Sequence, residues 1–300
     1  MITILLATYN GYRFLPELLD SLIAQTFEGW DLYIRDDNST DGTQRILSQY
    51  EQTDNRIHVT YGSEQLGPTG NFLNLVNSVS AGNYLMLCDQ DDVWLPDKIE
   101  KTYAEMQKQE ADYGKQTALM VYCGKQLVDQ DLLPISSFKS ERDSYNVSLH
   151  DVLIQNPIYG CTLMINRAAL DIIKPVPEYV YMHDYYFALV VSLFGIVVYL
   201  DEPLILYRQH SGNVTGGAAN FKKLSKLKSM SKINNKLHQI IMQNYIFCKT
   251  FSYMGNEDLN KYESMIDSNR IQRMFKAGKF KYSIPGKLQT LRLLIALATY

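Results

Sequence analysis

Strand-like and helix-like patterns alternate along the first 110 residues of this 300-residue chain. Short apolar runs rich in β-branched residues predict strands, and each is followed by apolar residues at helical spacing. Such an alternation indicates a parallel α/β sheet with helices on both faces. The predicted strands lie near residues 2–7, 31–36, 57–61 and 83–88, and the predicted helices near 14–26, 42–51, 69–80 and 96–110.

The pattern is less regular beyond residue 110. Residues 118–128 and 159–165 resemble strands, and residues 187–200 form the longest apolar run. This run is shorter than the ~20 residues that a membrane-spanning helix needs, and Ser192 and Gly195 interrupt it. We therefore expect a buried helix that passes into a buried strand.

The residue pattern changes after residue 215, which indicates a domain boundary. From Lys222 to Lys236, lysines alternate with apolar residues at helical spacing, which predicts a basic amphipathic helix. We expect an α/β domain over residues 1–215 and a helical C-terminal region over 216–300. This region either caps the domain or contacts a membrane surface through residues 222–300, since cationic amphipathic helices bind anionic lipid.

Composition excludes several classes of partner. The net charge of -3 offers no positive field for nucleic acid. The four cysteines form no C-x-x-C pair, so neither a disulfide framework nor a zinc site is supported. The first residues resemble a strand and not a signal peptide. We expect a cytoplasmic protein, with a peripheral position on the inner face of the cell membrane as the alternative.

Each predicted strand of the first half ends in a cluster of polar residues. Ligands of open parallel sheets bind beyond the carboxyl ends of the strands, so we expect the four clusters to converge on one site. They are Thr8-Tyr9-Asn10, Asp36-Asp37-Asn38-Ser39, Gly62-Ser63-Glu64 and Asp89-Gln90-Asp91-Asp92.

The last cluster places three carboxylates within four positions, directly after an apolar strand. Because such carboxylates repel one another, a positive counter-charge is expected beside them. The sequence has neither a G-x-G-x-x-G fingerprint nor a Walker A lysine. A site that handles phosphates would then need a divalent cation, Mg²⁺ or Mn²⁺, on Asp89 and Asp91. The alternative is a solvated loop in which Asp92 and Asp97 lie at a helix N-terminus.

Six segments combine these clusters with apolar runs: LLATYNGYRFL, IRDDNSTDGT, LCDQDDVWLPDKI, YGCTLMINRAAL, MHDYYFAL and LYRQHSGNVTG. In this order they resemble the inverting family 2 glycosyltransferases, and most of all the bacterial rhamnosyltransferase-type branch. The resemblance covers about residues 1–215. It implies a GT-A-like fold with a mostly parallel sheet flanked by helices, a nucleotide-binding half over 1–110 and an acceptor half over 111–215.

The resemblance implies roles for the residues at the strand ends. The D-x-D signature falls on Asp89-Gln90-Asp91, with Asp91 as the main metal ligand and Asp89 beside it. His210 lies where related enzymes place a residue near the diphosphate or the metal. The residues that match the nucleotide pocket are Thr8, Tyr9, Asn10, Asp36, Asp37, Gly67, Asn71, Asp89 and Gln90.

The general base of the family falls on Asp184, although an N-cap of the following helix is the alternative. His183 stands where the family more often has Glu, and with Trp94 it is assigned to the acceptor side. Trp94 could equally pack in the core, and His210 could be a structural hydrogen-bonding residue.

The resemblance implies an inverting sugar transfer from a nucleoside diphosphate sugar to a hydroxyl of a glycan or polyprenyl-linked acceptor, in bacterial surface polysaccharide biosynthesis. dTDP-L-rhamnose is the favoured donor and a UDP-hexose the second choice. The Q-x-x-R-W sequence of processive synthases is absent from the sequence, so one sugar per acceptor is expected. The alternatives are a nucleotidyltransferase on a similar sheet and a non-catalytic sugar-nucleotide-binding protein.

Overall fold

A computed structural model of the chain describes residues 1–80, 82–135, 147–154, 156–177, 179–210, 226–269, 272, 273 and 276. Of residues 226–234 only the backbone is described. The strands are β1 (Ile2–Thr8), β2 (Trp30–Asp36), β3 (Ile57–Tyr61), β4 (Tyr84–Asp89), β5 (Val93–Trp94), β6 (Ala118–Val128), β7 (Leu163–Asn166) and β8 (Gly195–Arg208).

The helices alternate with these strands through the first half of the chain and dominate its end. They are α1 (Leu15–Ile23), α2 (Thr43–Thr53), α3 (Gly67–Ser78), α4 (Lys98–Tyr113), α5 (Leu149–Ile154), α6 (Arg167–Ile173), α7 (His183–Phe194), α8 (Lys226–Phe251) and α9 (Glu257–Ile266). The predicted strands and helices of the first half are confirmed to within a few residues. The long apolar run is a buried helix, α7, that leads directly into β8, as predicted.

The strands form one sheet in the order β3-β2-β1-β4-β7-β6-β8-β5. The first four strands in this order are parallel, and β7 runs antiparallel to both of its neighbours. In the register, Thr8 lies opposite Asp36, and Ala7 lies opposite Asp89. The carboxyl ends of β1, β2 and β4 therefore meet at one edge. Since β7 is reversed, the turn that precedes it reaches this same edge.

Apolar side chains fill both faces of the sheet. One cluster packs α1, α2 and α4 against the sheet and includes Trp30 and Trp94. The larger cluster packs α3, α5, α6 and α7 against the other face. The two faces are thus both covered, as a mostly parallel sheet requires.

The C-terminal helices belong to the larger cluster. Ile241, Phe247 and Cys248 of α8 and Leu259 of α9 are buried within it. This is the packing of a helical cap on the domain. None of the described helices is long and apolar enough to cross a membrane. The surface contact through 222–300 stays a prediction, because residues 222–225 and 288–300 lie outside the described residues.

Candidate active site

The loop after β1 is held against the end of β2 by Asp36, which is fully buried. The Thr8 hydroxyl donates to Asp36 Oδ1 at 3.1 Å, and the backbone N–H of Ser39 donates to Asp36 Oδ2 at 2.9 Å. Asn10, at a positive φ of 47°, accepts from the Thr40 N–H through its side chain. Thr8, Asn10 and Asp36 therefore come together as predicted, and Asp36 organises the backbone of the loop.

Asp37 forms a buried ion pair that the sequence analysis missed. Arg35 Nη1 lies 2.6 Å from Asp37 Oδ1, and the Gly67 N–H donates to Asp37 Oδ2 at 2.8 Å. Asn71 accepts from Arg35 at 3.1 Å. The structure thus groups Asp37, Gly67 and Asn71 around Arg35. Residues two apart on an extended chain share a side, so the Arg35-Asp37 spacing was a usable signal.

Two reciprocal hydrogen bonds join the loop after β1 to the loop after β4. The Tyr9 N–H donates to Gln90 Oε1 at 2.9 Å, and Gln90 Nε2 donates to the Tyr9 carbonyl at 3.0 Å. Gly11 packs against this side chain, and a Cβ there would lie 2.5 Å from Gln90 Oε1. Gln90 therefore fixes the first loop, while Tyr9 is 44% exposed, and its contact with a nucleotide stays a prediction.

Three carboxylates, those of Asp89, Asp91 and Asp92, lie close together at the end of β4. Oxygen atoms of Asp89 and Asp92 lie within 4.8 Å of each other and of Cys161 Sγ. Burial, the Asp91 carboxylate and the Asp184 carboxylate raise the pKa of Asp89 to about 7. Burial also raises the pKa of Asp92, and Asp91 and Asp89 add to this effect. The predicted repulsion among these carboxylates is therefore present.

A side chain that follows the end of β8 approaches this acidic cluster. His210 Nε2 lies 2.7 Å from Asp91 Oδ2, and the His210 ring packs on Phe14 at 4.8 Å between centroids. This pairing agrees with the predicted shared location of Asp91 and His210. Direct contact of His210 with the diphosphate or the metal stays a prediction.

Arg208 is a further organising residue that sequence reasoning missed. Its guanidinium is fully buried and donates to the backbone carbonyls of Asp91 at 2.8 Å and Gln130 at 2.5 Å. It also pairs with Glu17 of α1, and its backbone N–H donates to Asp92 Oδ1 at 3.0 Å. Arg208 thereby connects three segments of the site. An arginine two residues before His210 was the only signal for it in the sequence.

The acidic cluster fits a divalent cation by its chemistry. Carboxylate oxygens are the ligands that Mg²⁺ and Mn²⁺ prefer, whereas an imidazole nitrogen is more typical of Zn²⁺ and similar transition metals. Asp92 Oδ2 is buried without a hydrogen-bond partner among the described residues. A cation near Asp89 and Asp91 would offset the carboxylate repulsion that raises the pKa of Asp89. The ligand atoms that lie together among the described residues are those of Asp89, Asp92 and Cys161, whereas Asp91 pairs with His210. The metal roles of Asp89, Asp91 and His210 therefore stay predictions.

Asp184 lies in the first turn of α7, and Met182 occupies the N-cap. The alternative that Asp184 is itself the N-cap is therefore wrong. Its Oδ2 accepts from the Gly160 N–H at 3.2 Å, and its Oδ1 accepts from the Tyr185 N–H at 2.7 Å. Gly160 begins the turn before β7, so the reversal of that strand brings a backbone donor to the carboxylate.

The two residues assigned to the acceptor side have different surroundings. His183 stacks on Phe72 with 4.2 Å between ring centroids, and burial lowers its pKa. His183 directly precedes Asp184 in the chain. Its acceptor-side role stays a prediction. Trp94 is only 2% exposed, and the Lys98 ammonium lies 3.8 Å from the centre of its ring. This burial favours the core-packing alternative for Trp94 over an acceptor platform.

Comparison with known proteins gives matches to sugar-transferring proteins. A family model described as glycosyl transferase family 2 matches residues 3–159. The glycosyltransferase TuaG of Bacillus subtilis, named for teichuronic acid biosynthesis, is 32% identical over 168 residues, 56% of this chain and 62% of that protein. The dTDP-rhamnosyl transferase RfbG of Shigella flexneri is 27% identical over 248 residues, 78% of this chain and 81% of that protein.

A solved structure gives a match over nearly the whole chain. The mannosyltransferase PcManGT from Pyrobaculum calidifontis, in complex with GDP-Man and Mn²⁺, has a TM-score of 0.58 at 15% identity. The match covers 99% of this chain and 86% of that chain. At this identity the likeness concerns the fold alone.

Proposed function

The chain belongs to glycosyl transferase family 2 and has the predicted GT-A-like fold, and on this premise we propose that it is an inverting transferase. The sugar would pass from a nucleoside diphosphate sugar to a hydroxyl of a glycan or lipid-linked acceptor. One observation carries this proposal: Asp184 Oδ2 accepts from the Gly160 N–H in the turn before β7, which pairs with β4, so a candidate base and a candidate metal-binding cluster share one edge of the sheet.

In this mechanism Asp184 accepts the proton of the acceptor hydroxyl as the oxygen attacks the anomeric carbon. The N–H groups of Gly160 and Tyr185 orient its carboxylate. Because the displacement is single, the anomeric configuration inverts. Asp89 and Asp91, with His210, would hold a divalent cation, which when bound neutralises the diphosphate leaving group.

The loop residues of the first half would bind the nucleotide. Asp36 and Gln90 hold the loop of Thr8, Tyr9 and Asn10 in place, so its backbone and the exposed Tyr9 ring are presented to the base and ribose. A preformed loop loses less conformational entropy on binding. The Arg35-Asp37 pair and Asn71 would border the same pocket.

For the donor we favour dTDP-L-rhamnose, with a UDP-hexose as the second choice. Support comes from the name of RfbG, a dTDP-rhamnosyl transferase that aligns with 78% of this chain. The name of TuaG concerns teichuronic acid biosynthesis. This name supports a role in bacterial surface polysaccharide biosynthesis, which we place at the cytoplasmic face of the membrane because nucleotide sugars are available there.

The test is a panel of nucleotide sugars incubated with the protein and Mn²⁺, in which released nucleoside diphosphate and pyrophosphate are measured separately. We expect nucleoside diphosphate release with one or a few donors, at its highest with dTDP-L-rhamnose. Release of pyrophosphate would instead indicate a nucleotidyltransferase. If the protein binds a nucleotide sugar but releases neither nucleoside diphosphate nor pyrophosphate in the presence of acceptor glycans, it is a non-catalytic sugar-nucleotide-binding protein.

A further inference from the structure

Helix α8 of the C-terminal region is fixed to the segment that carries Asp184. Gln243 Oε1 accepts from the backbone N–H groups of Tyr181 at 2.8 Å and Met182 at 3.0 Å. One turn earlier, Gln239 Oε1 accepts from the Tyr179 hydroxyl at 2.5 Å. These bonds hold α8 directly beside the start of α7, where the candidate base lies.

Asn244 strengthens the same junction from the buried side. Its Nδ2 donates to the Leu153 carbonyl at 3.0 Å and to the Tyr185 hydroxyl at 3.1 Å. Tyr185 directly follows Asp184, and its hydroxyl also donates to the Val152 carbonyl at 2.6 Å. The position of α8 relative to Asp184 is thus set by polar contacts as well as by apolar packing.

Lys236 lies on the face of α8 that turns towards this segment. It precedes Gln239 by three residues and Gln243 by seven, a spacing that places all three on one side of a helix. The side chain is half-buried on this face of α8, whose glutamines bind the segment of residues 179–182 directly before α7. The C-terminal region therefore brings a cation to the segment that leads to the candidate base.

The surroundings of Lys236 leave its charge incompletely compensated. Burial lowers the pKa of Lys236, and the Asp184 carboxylate opposes this effect. Within the described part of the chain the ammonium has neither a hydrogen bond nor an ion pair. The recorded partners of Asp184 are two backbone N–H groups instead. Partial burial removes part of the hydration of the ammonium, and a bound anion would offset this loss.

We propose that Lys236 is a substrate-binding residue whose ammonium holds a phosphate oxygen beside Asp184. The proposal rests on the proposed function, which brings diphosphate groups to this edge of the sheet. The phosphate could belong to the nucleoside diphosphate of the donor or to the diphosphate of a polyprenyl-linked acceptor. In either case the C-terminal region supplies part of the active site in addition to covering the domain.

The test measures binding of two probes to the full chain in the presence of Mn²⁺, by calorimetric titration. dTDP represents the donor diphosphate, and farnesyl diphosphate represents a polyprenyl diphosphate acceptor. We expect Lys236→Met to weaken the binding of one probe about tenfold or more, and Lys236→Arg to retain most of it. The probe that is affected identifies the source of the phosphate.

The matched control is Lys249→Met, which removes a lysine from the same helix. Lys249 is exposed and pairs with Glu263 and Asp267, away from Asp184. Lys236→Gln serves if Lys236→Met does not fold, and thermal unfolding is recorded for every variant. Binding of both probes within threefold of wild type, or equal losses in Lys249→Met, would overturn the role of Lys236 alone. A wild-type chain that binds neither probe would overturn both the dTDP-linked donor and the polyprenyl-linked acceptor, and with them the role of Lys236.

Discussion

Replacement of Asp184 by Asn separates the chemistry of this residue from its structural contacts. The two carboxylate oxygens accept from Tyr185 at 2.7 Å and from Gly160 at 3.2 Å. An asparagine keeps one of these bonds and turns its NH₂ group towards the other N–H donor. The loss of that hydrogen bond should lower the free energy of unfolding by about 1–3 kcal/mol. Removal of the base should slow transfer by roughly 10²–10⁴-fold.

The rate and the stability are measured on the same preparations. Transfer is followed as nucleoside diphosphate release in the presence of acceptor, nucleotide affinity by titration, and stability by thermal unfolding. Asp151→Asn is the matched control, because Asp151 also accepts hydrogen bonds at the first turn of a helix, from Ser148. We expect both variants to fold and only Asp184→Asn to lose turnover. Near-normal turnover of Asp184→Asn would refute its role as the base.

Three further perturbations test the other parts of the site. Chelation should abolish transfer, and added Mg²⁺ or Mn²⁺ should restore it; full activity in excess chelator would contradict a metal on Asp89 and Asp91. Arg208→Lys should weaken Mn²⁺ binding about tenfold or more, because Arg208 positions the segment of Asp91. The affinity is measured by electron spin resonance without any sugar substrate, and an unchanged affinity would contradict this positioning role of Arg208. Gly11→Ala should displace the Gln90 side chain, release the first loop and weaken nucleotide binding roughly tenfold in a titration, while the unfolding temperature changes little.

Local patterns were sufficient to predict the first half of the fold. Alternation of strand and helix signals located β1 to β4 and α1 to α4, and strand-end polarity correctly brought Thr8, Asp36 and Asp89 to one edge. These features depend on short-range periodicity and on a general property of parallel sheets. The reversal of β7 and the pairing of β5 with β8 depend on contacts between distant residues, which periodicity does not encode.

The charged partners of the site were the harder part to predict. Asp37 was grouped with Asp36 as a nucleotide ligand, yet Arg35 neutralises it within the protein. His210 pairs with the Asp91 side chain and Arg208 donates to the Asp91 carbonyl, although both residues follow more than a hundred residues later in the chain. A sequence shows which charges exist, but only the fold determines which of them meet.

The reversed strand β7 has a consequence for how the protein acquires activity during synthesis. The turn before β7 supplies the Gly160 N–H to Asp184. Gln243 of α8 binds the Met182 N–H and Asn244 binds the Tyr185 hydroxyl, so both support the segment around Asp184. A nascent chain that ends before α8 contains the acidic cluster of β4 and Asp184, but Asp184 still lacks this support. The surroundings of Asp184 are therefore completed only once α8 has been synthesised and packs beside α7.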